Sequence, residues 1–296
     1  MNRKTTMVGL VLVTAATAMA GVEFTSKVSD ERGRTVSATK GWVDGPKAKI
    51  EYVSGRGSGG MEKGSYILSK DGGKTIYMVD PQNKSYLKMD IDQLASQVGQ
   101  FMNAAGAFVK LEFTNPKFKT LSDERGPKMY GLPTRHVKTE TSYTVEASVF
   151  GRKNTTAISR KDEIWLTKKL NESGMKIWTQ QRTIKTGNEN IDKIIAAETK
   201  RLDGIPLKIT SVTTTTENGG KAEVTTVTHE ITSLKKAGIP AKTFEIPAGY
   251  TNNNEEMASG LEALTKGLQE GTDSSKEGSP AKSINSFMNG LFGGKK

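Results

Sequence analysis

"YILSKDGGKTIYMVDPQNKSYLKMD", residues 66–90, decides the fold. Three short runs alternate apolar and polar residues. Between them lie Asp71-Gly72-Gly73 and Pro81-Gln82-Asn83, residue types that tolerate turn dihedrals. The turns leave no room for a crossover, so the stretch reads as a three-stranded antiparallel meander. Side chains alternate between faces, which predicts Ile67, Met78 and Leu87 on one face and Tyr77 and Tyr86 on the other. Nothing in the stretch carries catalytic chemistry. It is expected to be a wall.

The period of two extends upstream and downstream. "VEFTSKV" sets Val22, Phe24 and Val28 on one face; "RTVSATKGWV" and "KAKIEYV" follow across the turn Asp44-Gly45-Pro46. After the meander the period changes to that of a helix over residues 91–108, with Asp90 as its N-cap and Leu94, Val98, Phe101 and Met102 on its apolar stripe. Strands resume with "FVKLEFT", "TRHVKTETSYTVEASVF", a run through "DEIWLTKKL", and "GMKIWTQQRTI". A second helix is expected over 189–202. "LKITSVTTTT" and "AEVTTVTHEIT" then flank Glu217-Asn218-Gly219-Gly220, a hairpin signal. Short turns between consecutive strands predict a mainly β (α+β) domain. Its expected form is a single curved antiparallel sheet of ten or eleven strands, an unclosed half-barrel with one or two helices in the concavity.

Three regions follow from composition. Residues 1–20 carry Arg3 and Lys4, an apolar run too short to span a bilayer, and Ala18-Met19-Ala20, which together predict a cleaved signal peptide. Export to the periplasm or beyond is expected, with cleavage before Gly21. The whole chain has 296 residues, no cysteine and a formal charge of +11; loss of Arg3 and Lys4 leaves +9. Without cysteine there is neither disulfide nor lipid anchor, so residues 21–250 must be held by an ordinary core. The basic charge suits anionic headgroups or wall polymers, or simply a solvated lysine-rich surface. Residues 251–296 form a tail rich in Gly, Ser, Lys and Glu. It holds two possible amphipathic helices, one through Met257, Leu261, Leu264 and Leu268, the other through Ile284, Phe287, Met288, Leu291 and Phe292.

Motifs for chemistry are sparse. "GRGSGG" contains G-x-G-x-x-G at Gly55, Gly57 and Gly60, but a strand rather than a helix follows, so it reads as a flap and not a dinucleotide site. His136 and His229 lie in strands without partners at metal-ligand spacing. No serine sits in G-x-S-x-G, and basic residues are not clustered with aromatics as nucleic-acid binding requires. No enzyme activity, cofactor, metal or nucleic acid is expected. The positive signal is consecutive apolar residues: Ile76 to Val79, Ile164 to Leu166, and Ile177 with Trp178. Such strands are covered on both faces, or turn one face toward an apolar cavity. Ile67, Ile76, Met78, Leu87, Met89, Trp165 and Trp178 are the candidate lining, and the helix with Leu94, Val98, Phe101 and Met102 is the candidate lid.

The meander, "YGLPTRHVKTETSY", "DEIWLTKKL" and the closing "FEIPAGY" resemble exported bacterial proteins of the domain-of-unknown-function family 4412. Those in turn resemble the LolA/LolB superfamily of periplasmic lipoprotein carriers. The resemblance covers roughly residues 21–250. It implies an unclosed antiparallel barrel with helices in a concavity where related proteins hold acyl chains. It transfers no functional residue, and lipoprotein carriage does not follow from a fold. Two functions stay open. One is a non-catalytic binding protein for a lipid, a lipidated protein or another apolar ligand. The other is an envelope interaction protein with a self-filled cavity and a tail that docks on a partner.

Overall fold

The computed structural model describes residues 21–55, 57, 61–93, 109–149, 152–170, 173–179 and 203–255, with isolated positions 189, 192, 193, 196 and 199. The expected signal peptide, the lid residues Leu94, Val98, Phe101 and Met102, most of the expected helix 189–202 and the tail beyond 255 lie outside the described residues.

The strands are β1 Gly21–Ser29, β2 Thr35–Asp44, β3 Lys47–Gly55, β4 Tyr66–Ser69, β5 Thr75–Asp80, β6 Ser85–Asp90, β7 Val109–Arg125, β8 Arg135–Val149, β9 Arg152–Thr167, β10 Ile205–Glu217, β11 Ala222–Ala237 and β12 Thr251–Asn252. A short helix, α1 Met175–Thr179, precedes β10, and a 3-10 turn, Ala241–Phe244, follows β11. All twelve strands form one sheet, ordered β12-β6-β5-β4-β3-β2-β1-β11-β10-β9-β8-β7. It is an open half-barrel whose free edges are β12 and β7. Every pairing is antiparallel except that of β12 with β6. The sequence predicts ten or eleven strands; the sheet has twelve, and Thr251–Asn252 carries the pairing past Tyr250.

The halves are joined by β1, which pairs with β2 on one side and β11 on the other, with Val22 opposite both Val43 and Lys236. Register then assigns faces. Phe24 lies opposite Gly41, Gly41 opposite Ile50 and Ile50 opposite Ile67, so all four share a face. That face holds the main core: Phe24, Val43, Ala48, Ile50, Ile205, Leu207 and Ile231, with Met175 of α1 packed among them. Val137, Ile164 and Leu166, joined by Ile209, continue it across β8 to β10. Gly41 is required here by close approach. A Cβ at this position would stand 2.2 Å from the Phe24 ring.

The meander forms as its turn residues dictate. Gly72 and Gly73 both take positive φ, 72° and 89°, conformations glycine enters without steric cost. Asp71 clamps the first turn by accepting the Thr75 amide on both carboxylate oxygens, and Asp80 clamps the second by accepting the amides of Gln82 and Asn83. Burial opposes the charge of Asp71, yet the hydrogen bonds from Thr75 and Ser69 outweigh it and hold the carboxyl below its usual range. The three strands pair with Ile67 opposite Met78, Met78 opposite Leu87 and Val79 opposite Tyr86, which puts Ile67, Met78 and Leu87 on one face and Tyr77 and Tyr86 on the other, as the sequence predicts.

Two elements differ from expectation. "GMKIWTQQRTI" does not begin a strand; Met175–Thr179 is helical. Gly174 sits hard against the β2–β3 turn, its N–H bonded to the Gly45 carbonyl at 2.9 Å, and Met175 and Trp178, three apart, then fall on one side and face the sheet. Two consecutive apolar residues, Ile177 and Trp178, fit either period, and contact with the sheet selects the helix. Gly174→Ala is expected to cost about 1–3 kcal/mol by overpacking, because a Cβ would meet the Lys47 carbonyl and Val43 Cγ1 at 2.8 Å each; the urea midpoint checks it. The second difference is β7, which runs through "NPKFKTLSDER" rather than stopping at Thr114. Pro116 has no N–H to donate, and an edge strand accommodates it at a register shift between Thr114 and Lys117. A second shift between Thr120 and Ser122, with exposed Lys117 and Lys119, makes this edge a poor template for another strand.

Candidate functional site

The α1 face of the meander gathers five of the seven predicted lining residues. Ile67, Met78 and Leu87 form one cross-strand row, and Ile76 opposite Met89 forms the next. Residues opposite one another point to the same side of a sheet, so the five make one apolar surface continuous with Ile50. Each is half-buried. None belongs to the buried clusters around Phe24, Phe244 or Ile164.

The other side of the same strands is closed. Tyr66, Leu68 and Val79 are buried there beneath Phe244 of the 3-10 turn, with Trp42, Tyr77, Tyr86, Ile239, Ile246 and Tyr250 packed around them. Burial first, then the neighbouring Tyr250 and Glu51, pushes the Tyr66 phenol up to about 12. Lys49 lies over both the Tyr66 and the Trp42 rings, at 4.2 and 5.3 Å from their centroids. The tyrosine face is thus packed beneath Phe244, and the isoleucine–methionine face is half-buried.

The two tryptophans do not join the five. Trp178 lies on α1, edge-on to Phe24 with ring centroids 5.9 Å apart, and its Nε1–H donates to Ser26 Oγ at 3.0 Å. It shares the α1 face but is part of the central packing. Trp165 is a correction to the predicted set. It stands opposite His136, one residue out of phase with Ile164 and Leu166, and so lies on the opposite face. There it stacks on His136 at 4.5 Å with rings 11° apart, beneath Lys208 at 5.2 Å. His136 Nε2 meets Glu163 Oε1 at 2.8 Å, and Lys138 Nζ reaches the same oxygen at 3.2 Å. Burial opposes the Glu163 charge, but hydrogen bonds from Lys138 and His136 outweigh it and hold the carboxyl below its usual value. This is a charged, solvated surface.

Sequence reasoning missed a polar island on the α1 face. Asp162, buried to 9% exposure, accepts Ser211 Oγ–H at 2.6 Å and Arg160 Nε–H at 3.0 Å. The signal was present: Asp162 is in phase with Ile164 and Leu166, which places a carboxylate on the apolar side of its strand. Its partner Ser211 is 49 residues away, and no motif links the two. His229 opposes Val28 and Ile209 on this face. His229 lies on an exposed stretch of β11, and desolvation by the chain around its ring pushes its pKa below the ordinary histidine value. The sign follows from linkage. The unfolded chain binds the proton at a higher pH, so stability is full above about pH 6.5 and falls as the pH drops below it. His229→Gln is expected to flatten that acid limb, measured as the urea midpoint between about pH 8 and 5.

Among the described residues no group of three His, Asp or Glu is placed to hold a metal ion, and no helix is long and apolar enough to cross a membrane.

The model of the family described as "Domain of unknown function (DUF4412)" matches residues 152–250, from β9 through the 3-10 turn to Tyr250. Among solved structures, a chain of PNGF-II is 13% identical with a TM-score of 0.35, over 80% of this chain and 32% of that one. This chain therefore spans about a third of the PNGF-II chain. A protein of Parabacteroides distasonis assigned as a lipoprotein is 10% identical with a TM-score of 0.27, over 74% of this chain and 96% of that one. No curated protein matches.

Proposed function

We propose that the protein is an exported, non-catalytic binding module that holds an apolar ligand, a lipid or the acyl part of a lipidated protein, on the α1 face of its half-barrel. The carrying observation is the surface of Ile67, Ile76, Met78, Leu87 and Met89, which share one face of an open sheet and stay half-buried while the opposite face is packed. Burial of hydrocarbon supplies about 0.8 kcal/mol per methylene, so an acyl chain binds there without any catalytic group. Native mass spectrometry of protein purified from its own envelope is expected to show a co-purifying lipid, and titration with a fluorescent fatty acid is expected to saturate. Neither a bound lipid nor uptake of the fatty acid would sink the proposal.

A second reading is an envelope interaction protein whose tail docks on a partner. It is favoured by the Asn254 side chain, which fixes the root of the tail to the sheet edge through Lys88. Removal of residues 251–296 separates the two. Loss of a co-purifying partner with fatty-acid uptake intact supports the second reading.

A further inference from the structure

The connection between β7 and β8 ends in a turn built against local preference. Met129 and Leu132 exchange both backbone hydrogen bonds, at 3.0 and 2.9 Å, around the pair Tyr130-Gly131. Both central residues take positive φ, 52° and 75°. Asparagine and glycine enter such a two-residue hairpin turn readily, whereas a bulky side chain at positive φ is strained. Behind the turn the arm is braced. The Gly126 N–H donates to the Thr134 carbonyl at 2.9 Å, and Thr134 Oγ1–H donates to the Pro127 carbonyl at 2.6 Å. Strain at a braced tip persists only where the surroundings repay it.

The repayment lies three strands away. The Tyr130 hydroxyl donates to the Ile231 carbonyl of β11. The strands run in the order β11-β10-β9-β8, so the tip of the β7–β8 arm reaches past β9 and β10. At about 4.8 Å per strand, the contact bridges roughly 14 Å of sheet. The ladder leaves a place for it. Ile231 stands opposite Ser26 on β1, but β10 joins β11 only from the Lys208–Glu230 pair onward. Just before Lys208 the register shifts at Pro206, which has no N–H to offer. Met129, next to the tyrosine, packs against the main core, which includes Ile231 and Leu207. Burial, then the charge of Glu230, pushes the Tyr130 phenol up, so it stays a protonated donor at neutral pH.

We infer that Tyr130 is a latch on the curvature of the sheet: its hydroxyl ties the two ends of the four-strand arc from β8 to β11, and this half of the open barrel tightens and relaxes as the tie forms and breaks. A closed barrel fixes its curvature by pairing its last strand with its first. This sheet is open, and the chord from the β7–β8 tip to β11 takes that role over one half of it. The tie is poised, because one bulky residue in the left-handed region costs about as much as one hydrogen bond returns.

Amide hydrogen exchange of the full chain reads the latch. Tyr130→Phe removes only the hydroxyl. Exchange in residues 126–134 and 228–234 is expected to rise together by about three- to tenfold, the protection one hydrogen bond gives, with residues 66–90 unchanged. Tyr130→Asn separates the latch from the turn. Asparagine suits the left-handed position but falls short of Ile231, so both segments are again expected to exchange faster. A tyrosine that served the turn alone would instead let Tyr130→Asn slow exchange at the tip, which overturns the inference. So does unchanged exchange in Tyr130→Phe, a rise confined to residues 126–134, or a rise that includes residues 66–90. A second readout is distance. The chain has no cysteine, so Glu124→Cys on β7 and Ser233→Cys on β11, both exposed, carry spin labels without background. The latched chain is expected to give one distance and Tyr130→Phe a second, broader one; identical distributions overturn the inference.

Discussion

Phe24→Ala is expected to lower the unfolding free energy by about 3–5 kcal/mol. Phe24 is fully buried at the point where three parts of the chain meet. Its ring fills the space left by Gly41 on β2, lies edge-on to Trp178 of α1, and its strand pairs on the other side with Leu234 of β11. Removal of the ring leaves a cavity that Gly41 cannot fill, because it has no side chain, and deprives Trp178 of its aromatic neighbour. The Nε1 bond of Trp178 to Ser26 holds the indole in place and limits its collapse into the space. Urea denaturation followed by tryptophan fluorescence measures the loss. A change below about 1 kcal/mol would show that the β1–α1 contact is not central to the core.

Phe244→Ala is the second large effect, with an expected loss of about 3–4 kcal/mol. Phe244 is 2% exposed and is the buried residue of the 3-10 turn that seals the tyrosine face. Its loss loosens the segment that carries Ile246 and Tyr250 and ends in the Asn254 anchor. A second readout is the alkaline limb of stability. The folded Tyr66 phenol is held up to about 12, chiefly by this burial. A raised folded pKa contributes stability that is complete below the unfolded value near 10 and is lost as the pH rises through the folded value. The variant exposes the phenol, so that alkaline contribution is expected to shrink; an unchanged alkaline limb would mean that Tyr66 is buried without Phe244.

The local rules of the chain were legible where one residue type answers one need. Asp-Gly-Gly and Pro-Gln-Asn set the meander turns, Glu217 to Gly220 closed the β10–β11 hairpin, and the Gln93 N–H bond to Asp90 Oδ1 at 2.9 Å is the N-cap that Asp90 announced. That Ile67, Ile76, Met78, Leu87 and Met89 share one face was legible because strict alternation over strands of four to six residues leaves little freedom of register. Trp165 was misplaced because Ile164, Trp165 and Leu166 are all apolar, and an unbroken apolar run carries no phase. Ile177 and Trp178 carry no phase for the same reason, and their period is that of a helix only through contact with the sheet.

What the sequence by itself determined is the meander, its turns, the β10–β11 hairpin and the alternation of faces within them, because these depend on neighbours a few residues away. The tertiary structure decided the rest. It chose β1 and β11 as partners across more than two hundred residues, and it folded the C-terminal segment over the tyrosine face. It thereby buried the core of the tyrosine face and left the isoleucine–methionine face half-buried. Both meander faces are apolar in sequence, so alternation cannot rank them. Which one is buried depends on where Phe244 lands, and that is set by the pairing of strands far apart in the chain.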